Sequence, residues 1–315
     1  MGAGALKDQV RIAVLLPCFN EEAAIAATVA GFRAALPSAT VYVYDNNSRD
    51  RTREIAAAGG AVVRTERQQG KGHVVRRMFA DIDADVYVMA DGDLTYDPNS
   101  AQAMVDLLLA DQLDMVVGTR RHDEKAAYRG GHVLGNRLFT GMLGRLFGRS
   151  FSDIFSGYRV FSRRFVKSFP VLSSGFEIET EMSVHALELR MPVGEVETAY
   201  ASRPEGSESK LSTYGDGWRI LKTIATLYRT ERPVLFFGAI GALLLIVAVI
   251  LAVPLVVTYV DTGLVPRVPT AILITGMTIV AVLCFFAGLI LDTVTRGRRE
   301  VRRLAYLALP GPGSA

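Results

Sequence analysis

Asp91-Gly92-Asp93 places two carboxylates one residue apart, directly after the apolar run 86–90. Two hard oxygen donors on a turn can hold a divalent cation, with substrate phosphates completing its shell. The same tripeptide is also an ordinary solvated turn, so its meaning depends on its surroundings. Asp45-Asn46-Asn47-Ser48-Arg49-Asp50 follows a second apolar run, 40–44. An acid at that position either accepts hydrogen bonds from a base or ribose or belongs to a capped turn rich in Asn and Asp. Gly70-Lys71-Gly72 opens a helical pattern, where glycines let a phosphate approach and Lys71 meets its charge. The spacing is not that of a P-loop. The two cysteines, Cys18 and Cys284, stand far apart with no CxxC or Cys/His cluster, and they read as small apolar residues. His73, His122, His132 and His185 show no ligand spacing and read as structural or surface groups.

The elements that must position these residues alternate between two periods. Residues 10–16, 40–44, 61–64, 86–90 and 114–117 read as buried strands, the first a nearly continuous apolar run. Asn20 is expected to cap a helix carrying Glu21 and Glu22 in its first turn. Asp97-Pro98 predicts the start of a helix over 99–111. Strands separated by helices imply a right-handed, mainly parallel α/β sheet. Ligands of such sheets bind at the carboxyl ends of strands, where Asp45 and Asp91 fall.

The chain has 315 residues, a net charge of +3 and a mean hydropathy of +0.25. This charge gives no support to nucleic-acid binding. The hydropathy points to membrane segments. Residues 234–259 and 268–291 contain no charged side chain, and each is long enough to span a bilayer core, which takes about 20 residues. A short linker makes them a hairpin. Arg296, Arg298, Arg299, Arg302 and Arg303 follow it, whereas the linker has only Arg267. The positive-inside rule puts both ends in the cytosol. Residues 1–9 lack a basic segment followed by an apolar stretch, so a cytosolic N-terminal domain is expected. Two basic amphipathic stretches, near 137–151 and 218–229, read as interfacial helices, with the single Trp218 as an anchor. The expected organisation is a catalytic domain over 1–232, a transmembrane hairpin over 233–295, and a basic cytosolic tail over 296–315.

Pro17-Cys18-Phe19-Asn20-Glu21-Glu22, then Asp45 to Asp50, then Asp91 to Asp93 resemble, in order and spacing, the nucleotide-binding half of family 2 glycosyltransferases with the GT-A fold. Asp153-Ile154-Phe155-Ser156-Gly157-Tyr158-Arg159 looks like the D-x-x-S-G-[FY]-R segment of the dolichol-phosphate-mannose-synthase group. Arg203-Pro204-Glu205-Gly206-Ser207-Glu208-Ser209-Lys210-Leu211 looks like that group's R-x-x-G-x-S-K-L loop. Residues 42–48, 69–76 and 175–182 resemble more closely bacterial enzymes that make N-acetylglucosaminyl-phosphoryl-undecaprenol. The resemblance covers roughly 10–235, and the two-helix tail agrees with it.

The resemblance implies that Pro17, Asn20, Glu21, Asp45 and Gly92 line the nucleotide-sugar site, with Glu21 and Asp45 on the nucleoside. Asp91 and Asp93 would carry Mg2+ or Mn2+. Lys71 and Arg203 would neutralise the diphosphate, and Ser209 and Lys210 would help close a loop over it. Arg129, Arg137 and Arg159 would hold the acceptor phosphate, and Glu177 would touch the sugar. Asp153 either orients the acceptor or pairs with Arg159. Relatives that move mannose often carry Gln where Thr95 stands here, which leaves the third metal ligand open.

The implied reaction is inverting transfer of a hexose or N-acetylhexosamine from a nucleotide sugar to polyprenyl phosphate at the bacterial cytoplasmic membrane. UDP-N-acetylglucosamine is the leading donor, with UDP-glucose or GDP-mannose as alternatives. A polyprenyl phosphate is already an anion and needs little deprotonation. It needs cations to offset repulsion from the diphosphate, and the Arg-rich middle supplies them. A processive polysaccharide synthase would carry Q-x-x-R-W, yet Gly217 precedes the only Trp. A non-catalytic membrane scaffold should have lost carboxylates that are present here. The chain's oligomeric state is not legible, although two spans per chain are compatible with a homo-oligomer.

Overall fold

The computed structural model describes residues 10–121, 141, 144, 151–173, 175, 177–201, 225–226 and 228–313. Chain contacts divide it into two units: residues 1–216 with 301–315, and residues 217–300.

The first unit is built on a seven-stranded sheet. Its strands are β1 (Ile12–Cys18), β2 (Thr40–Asp45), β3 (Val62–Thr65), β4 (Val86–Met89), β5 (Met115–Arg121), β6 (Arg159–Ser162) and β7 (Val193–Ala199). Their spatial order is β3-β2-β1-β4-β6-β5-β7. β1 pairs in parallel with β2 and β4, and β5 pairs in parallel with β7. Only β6 is reversed, antiparallel to both β4 and β5. The sheet is therefore mainly parallel, as expected, and the five expected strands are present with ends shifted by at most four residues.

Apolar burial explains why these segments form a sheet. All four residues of β4 are buried, and Ala13, Val14, Leu15 and Leu16 of β1 are almost wholly so. Helix α1 (Ile25–Ala35) buries Ile25, Thr28, Val29 and Phe32, the i, i+3, i+4, i+7 stripe of a helix packed on a core. Helix α2 (Thr52–Ala58) and helix α3 (Lys71–Asp81) follow, and then α4 (Ser100–Ala110). Helices α5 (Arg163–Ser168) and α6 (Ile178–Glu188) come after β6. The core joins β1, β2, β4 and α1 with Tyr96, Met104, Leu108, Tyr158 and Val160.

One local expectation fails. Asn20 does not cap α1, which starts five residues later at Ile25. Its backbone is left-handed (φ 54°), and its side-chain oxygen accepts the Arg49 N–H at 2.9 Å. The amide is spent on joining the loops after β1 and β2.

The second unit contains α7 (Pro233–Thr262) and most of α8 (Val268–Leu307), both long and apolar enough to cross a membrane. They pack antiparallel through small residues. A Cβ on Gly241 would lie 3.0 Å from the Ala281 carbonyl, and one on Gly288 would lie 3.2 Å from the Val234 Cα. Glycine at both positions lets the backbones approach. Gly263 at φ 70° ends α7 in a left-handed cap.

The basic segment read as a tail is helical through Leu307. Within the second unit Arg299 pairs with Glu231 at 2.9 Å. Within the first, Arg302 pairs with Glu188 at 2.5 Å and Tyr306 donates to Asp114 at 2.8 Å. Arg164 binds the same Asp114 carboxylate and lies over the Tyr306 ring, 4.7 Å from its centre. The two expected interfacial stretches lie mostly outside the described residues, and Trp218 lies outside them.

Candidate functional site

The carboxyl edge of β1, β2 and β4 collects the acids that the sequence singled out. Asp45 ends β2 opposite Cys18 in the parallel register. It is fully buried, accepts the Ser48 N–H at 3.2 Å, and has the Arg53 guanidinium at 3.9 Å. Glu21 is buried beside it, and its own N–H donates to Thr52 Oγ1 at 2.8 Å. Burial, reinforced by the charges of Glu21, Asp45, Asp91 and Asp93, pushes the Cys18 thiol well above its usual pKa. Cys18 is therefore a neutral apolar filler beneath four carboxylates.

Asp91-Gly92-Asp93 follows β4 as a turn. Gly92 must lack a side chain, because a Cβ there would lie 2.4 Å from Cys18 Sγ. Asp93 is 2% exposed, and its Oδ1 accepts from Thr95 N at 3.2 Å and from Thr95 Oγ1 at 2.6 Å. Thr95 thus orients a carboxylate of the pair. Among the described residues no group of three or more His, Cys, Asp or Glu is placed to share one metal ion. Two carboxylates without a third suit a hard cation that takes its other oxygens from phosphate and water.

Lys71 opens α3 behind Gly70, whose φ of 133° favours glycine. The loop before it is fixed by Asn46, which accepts the Gly70 N–H at 2.7 Å and donates to the carbonyls of Glu66 and Gln68. Lys71 Nζ bridges Asp91 Oδ1 and Glu179 Oε1, both at 2.5 Å. Burial works against its charge, but the two carboxylates prevail and hold its pKa above the ordinary lysine value. Gly157 closes another side of this cluster. A Cβ on it would lie 3.0 Å from Asp91 Oδ2 and 3.2 Å from Lys71 Nζ. The Gly157 N–H donates to Tyr96 Oη at 2.8 Å.

The reversed strand β6 delivers this segment. Because β6 runs against β4, its lead-in at residues 153–158, and not its exit, lies at the carboxyl edge. Asp153 does not pair with Arg159. It binds Arg120, from the end of β5, in a two-pronged pair at 2.6 and 2.8 Å. That pair holds the Asp153 carboxyl below its usual range although burial opposes it. Arg120 also lies over the Tyr200 ring, 5.4 Å from its centre.

Arg159 is wholly buried. It donates to the carbonyls of Ser156 at 2.9 Å and Ile154 at 2.6 Å and to Ser183 Oγ at 2.9 Å. Burial lowers its pKa to about 10. Its fork ties down the segment that presents Asp153 and Gly157, so a place on the acceptor phosphate is corrected to a structural one.

Glu177 is half-buried at the start of α6, beside Gly175, where a Cβ would lie 2.7 Å from its Oε2. Pro17 lies in β1 opposite Tyr44, one residue before Cys18. Arg129, Arg137, Arg203, Ser209 and Lys210 fall outside the described residues. The structure thus gathers Asp91, Lys71 and Gly157 through direct contacts, and Glu21, Asp45, Asp91 and Asp93 around Cys18. Sequence reasoning gave no role to Glu179, Arg120, Tyr96 or Asn46. Glu179 sits two residues after Glu177 in the same acidic stretch, and Arg120 lies at a strand end, so position alone was their only signal.

Residues 13–169 match the family model of glycosyl transferase family 2. The chain is 35% identical over 232 residues to glycosyltransferase AglJ of Haloferax volcanii, covering 73% of this chain and 76% of that one. A dolichyl-phosphate hexose transferase of the same organism is 27% identical over 221 residues, 70% of this chain and 95% of its own. An uncharacterized protein of Shigella flexneri is 58% identical over 153 residues, 49% of this chain and 94% of its own. Among solved structures, glucosyl-3-phosphoglycerate synthase of Mycobacterium tuberculosis, in complex with Mn2+, UDP and phosphoglyceric acid, superposes with a TM-score of 0.59. It is 23% identical and covers 71% of this chain and 79% of its own, which establishes a shared fold.

Proposed function

The chain belongs to glycosyl transferase family 2, and from that premise we propose that it moves a sugar from a nucleotide donor onto polyprenyl phosphate at the cytoplasmic membrane. The observation that carries this reading is the convergence of Asp45, Asp91, Asp93 and Lys71 at the carboxyl edge of adjacent parallel strands. Ligands of such sheets bind there. The relative that acts on dolichyl phosphate supports the acceptor class, as do two apolar helices able to span a bilayer. UDP-N-acetylglucosamine is the proposed donor, with the transfer inverting the anomeric centre. The Mycobacterium tuberculosis synthase of the same fold, crystallised with UDP or with UDP-glucose, favours a uridine nucleotide over GDP-mannose.

In this reading Asp45 and Glu21 bind the nucleoside, with Pro17 and Asn20 shaping the loop above. Asp91 and Asp93 hold Mg2+ or Mn2+, which would neutralise charge building on the leaving diphosphate. Lys71 serves the same diphosphate as a point charge. Arg129 and Arg137 hold the acceptor phosphate, and Arg203, Ser209 and Lys210 close over the donor. Asp153 positions the acceptor through Arg120, and Glu177 meets the sugar. No residue need act as a strong base, because the attacking phosphate oxygen already carries charge.

The test is a donor panel with purified full-length chain, Mn2+ and a short polyprenyl phosphate, with product mass measured. The expected product is polyprenyl-phosphoryl N-acetylglucosamine, and Asp93→Ala abolishes it. Full activity of Asp93→Ala refutes the metal role. Consumption of no sugar nucleotide with this acceptor refutes the function.

A further inference from the structure

Lys71 has two acidic partners, and only Asp91 belongs to the aspartate pair. Its Nζ stands 2.5 Å from Asp91 Oδ1 and 2.5 Å from Glu179 Oε1. The Lys71 and Glu179 side chains are 8% and 6% exposed, whereas that of Asp91 is 30% exposed. Glu179 enters from the first turn of α6, a full 108 residues away in sequence. It therefore holds the lysine from the closed side of the cluster, and Asp91 holds it from the open side.

Two cations compete for Asp91. An ammonium bonded to a carboxylate oxygen repels a divalent cation on the same carboxylate, and low solvent exposure strengthens that repulsion. A metal on Asp91 therefore weakens or displaces the Lys71 bond to that carboxylate. A buried ammonium without any partner is strongly unfavourable. The Glu179 contact persists through the exchange and removes that penalty.

We infer that Glu179 is a positioning residue that retains Lys71 when Asp91 turns to a divalent cation, leaving the ammonium paired and aimed at the donor diphosphate. This rests on the reading of Asp91 as a metal ligand and Lys71 as a diphosphate partner. Its consequence is coupled entry. Metal alone competes with Lys71 and binds weakly. Metal with a nucleoside diphosphate binds well, because the diphosphate gives the released ammonium a new anionic partner.

The experiment titrates Mn2+ alone, UDP alone and UDP with Mn2+ into the full chain in detergent, with thermal stability measured for every variant. Wild type should bind Mn2+ at least tenfold more tightly with UDP than without it. Glu179→Gln leaves Asp91 as the sole anion on Lys71, so affinity for UDP with Mn2+ should fall about tenfold. Glu179→Asp should recover part of that loss. Lys71→Met removes the competing cation, so Mn2+ alone should bind more tightly. In the Lys71→Met background Glu179→Gln should then have no further effect on UDP affinity.

Wild-type affinity in Glu179→Gln, or tighter binding there, overturns the inference, the latter because Glu179 would merely compete with the diphosphate. An equal loss from Glu179→Gln in the Lys71→Met background overturns it too, since Glu179 would not act through Lys71. If Glu179→Gln does not fold, the Mn2+ affinity of Lys71→Met decides. Absence of any Mn2+-dependent UDP binding by wild type would instead bring down the reading of the site itself.

Discussion

Gly92→Ala puts one methyl group at the most crowded point of the candidate site. Its Cβ would lie 2.4 Å from Cys18 Sγ, more than 1 Å inside the ~3.5–4.0 Å of a comfortable contact. Cys18 is 3% exposed and has one short torsion, so it has little room to swing aside. The backbone of residues 91–93 must move instead. Overpacking of this kind costs about 1–3 kcal/mol. In a domain of this size each kcal/mol lowers Tm by roughly 2–4 °C. Asp91 and Asp93 flank the displaced residue, so the affinity for UDP with Mn2+ should fall at least tenfold. Cys18→Ala removes the colliding sulfur and alone should cost about 1 kcal/mol of burial. If the collision is the cause, the double variant is no less stable than Cys18→Ala, a coupling of about 1–3 kcal/mol between touching residues. The assay is thermal unfolding in one detergent for all four proteins, followed by UDP titration with Mn2+. Wild-type stability in Gly92→Ala refutes the reasoning, as do losses that simply add.

Asp153→Asn should break the two-pronged pair with Arg120 and lower stability by about 3 kcal/mol, because it leaves a mostly buried cation half-partnered. Unchanged unfolding in urea would contradict this. Arg159→Lys should lower Tm, because one ammonium cannot reach Ser156, Ile154 and Ser183 together. If its sole effect is a raised KM for the proposed lipid acceptor, Arg159 faces that acceptor after all. His185 packs against Phe165 and Phe169 with Nδ1 unpartnered, and burial lowers its pKa from 6.5 to about 3. Between those values the unfolded chain takes up a proton that the folded chain refuses, so stability falls as pH falls, by ~1.4 kcal/mol per pH unit at full slope. His185→Leu should flatten the stability profile between pH 6 and 4 by about that slope, and an unchanged difference from wild type across that range refutes it.

The sequence by itself determined the first half of the sheet and its two acidic strand ends. The mainly apolar runs at 10–16, 40–44 and 86–90 favour burial, and the acids directly after the last two then fall at the carboxyl edge. The paired apolar helices were equally legible, because length and lack of charge are properties of a single segment. Where an expectation went wrong, a distant partner was the cause. Asn20 has the composition of a helix cap, but its amide is taken by Arg49, 29 residues on. Asp153 and Arg159 lie six apart and invite pairing, yet Arg120 takes the aspartate and backbone carbonyls take the arginine. In the basic C-terminal segment, charge alone could not tell that Arg302 and Tyr306 are bonded to Glu188 and Asp114.

Only the tertiary structure decided which charge meets which. The reversal of β6 brings Gly157 against Asp91, and the packing of α6 brings Glu179 to Lys71. Neither contact leaves a periodic trace in the chain, because a buried ion pair depends on where two elements end in space and not on their own pattern. The aspartate pair was visible from the start, but the cation it shares with a second acid became visible only in the fold.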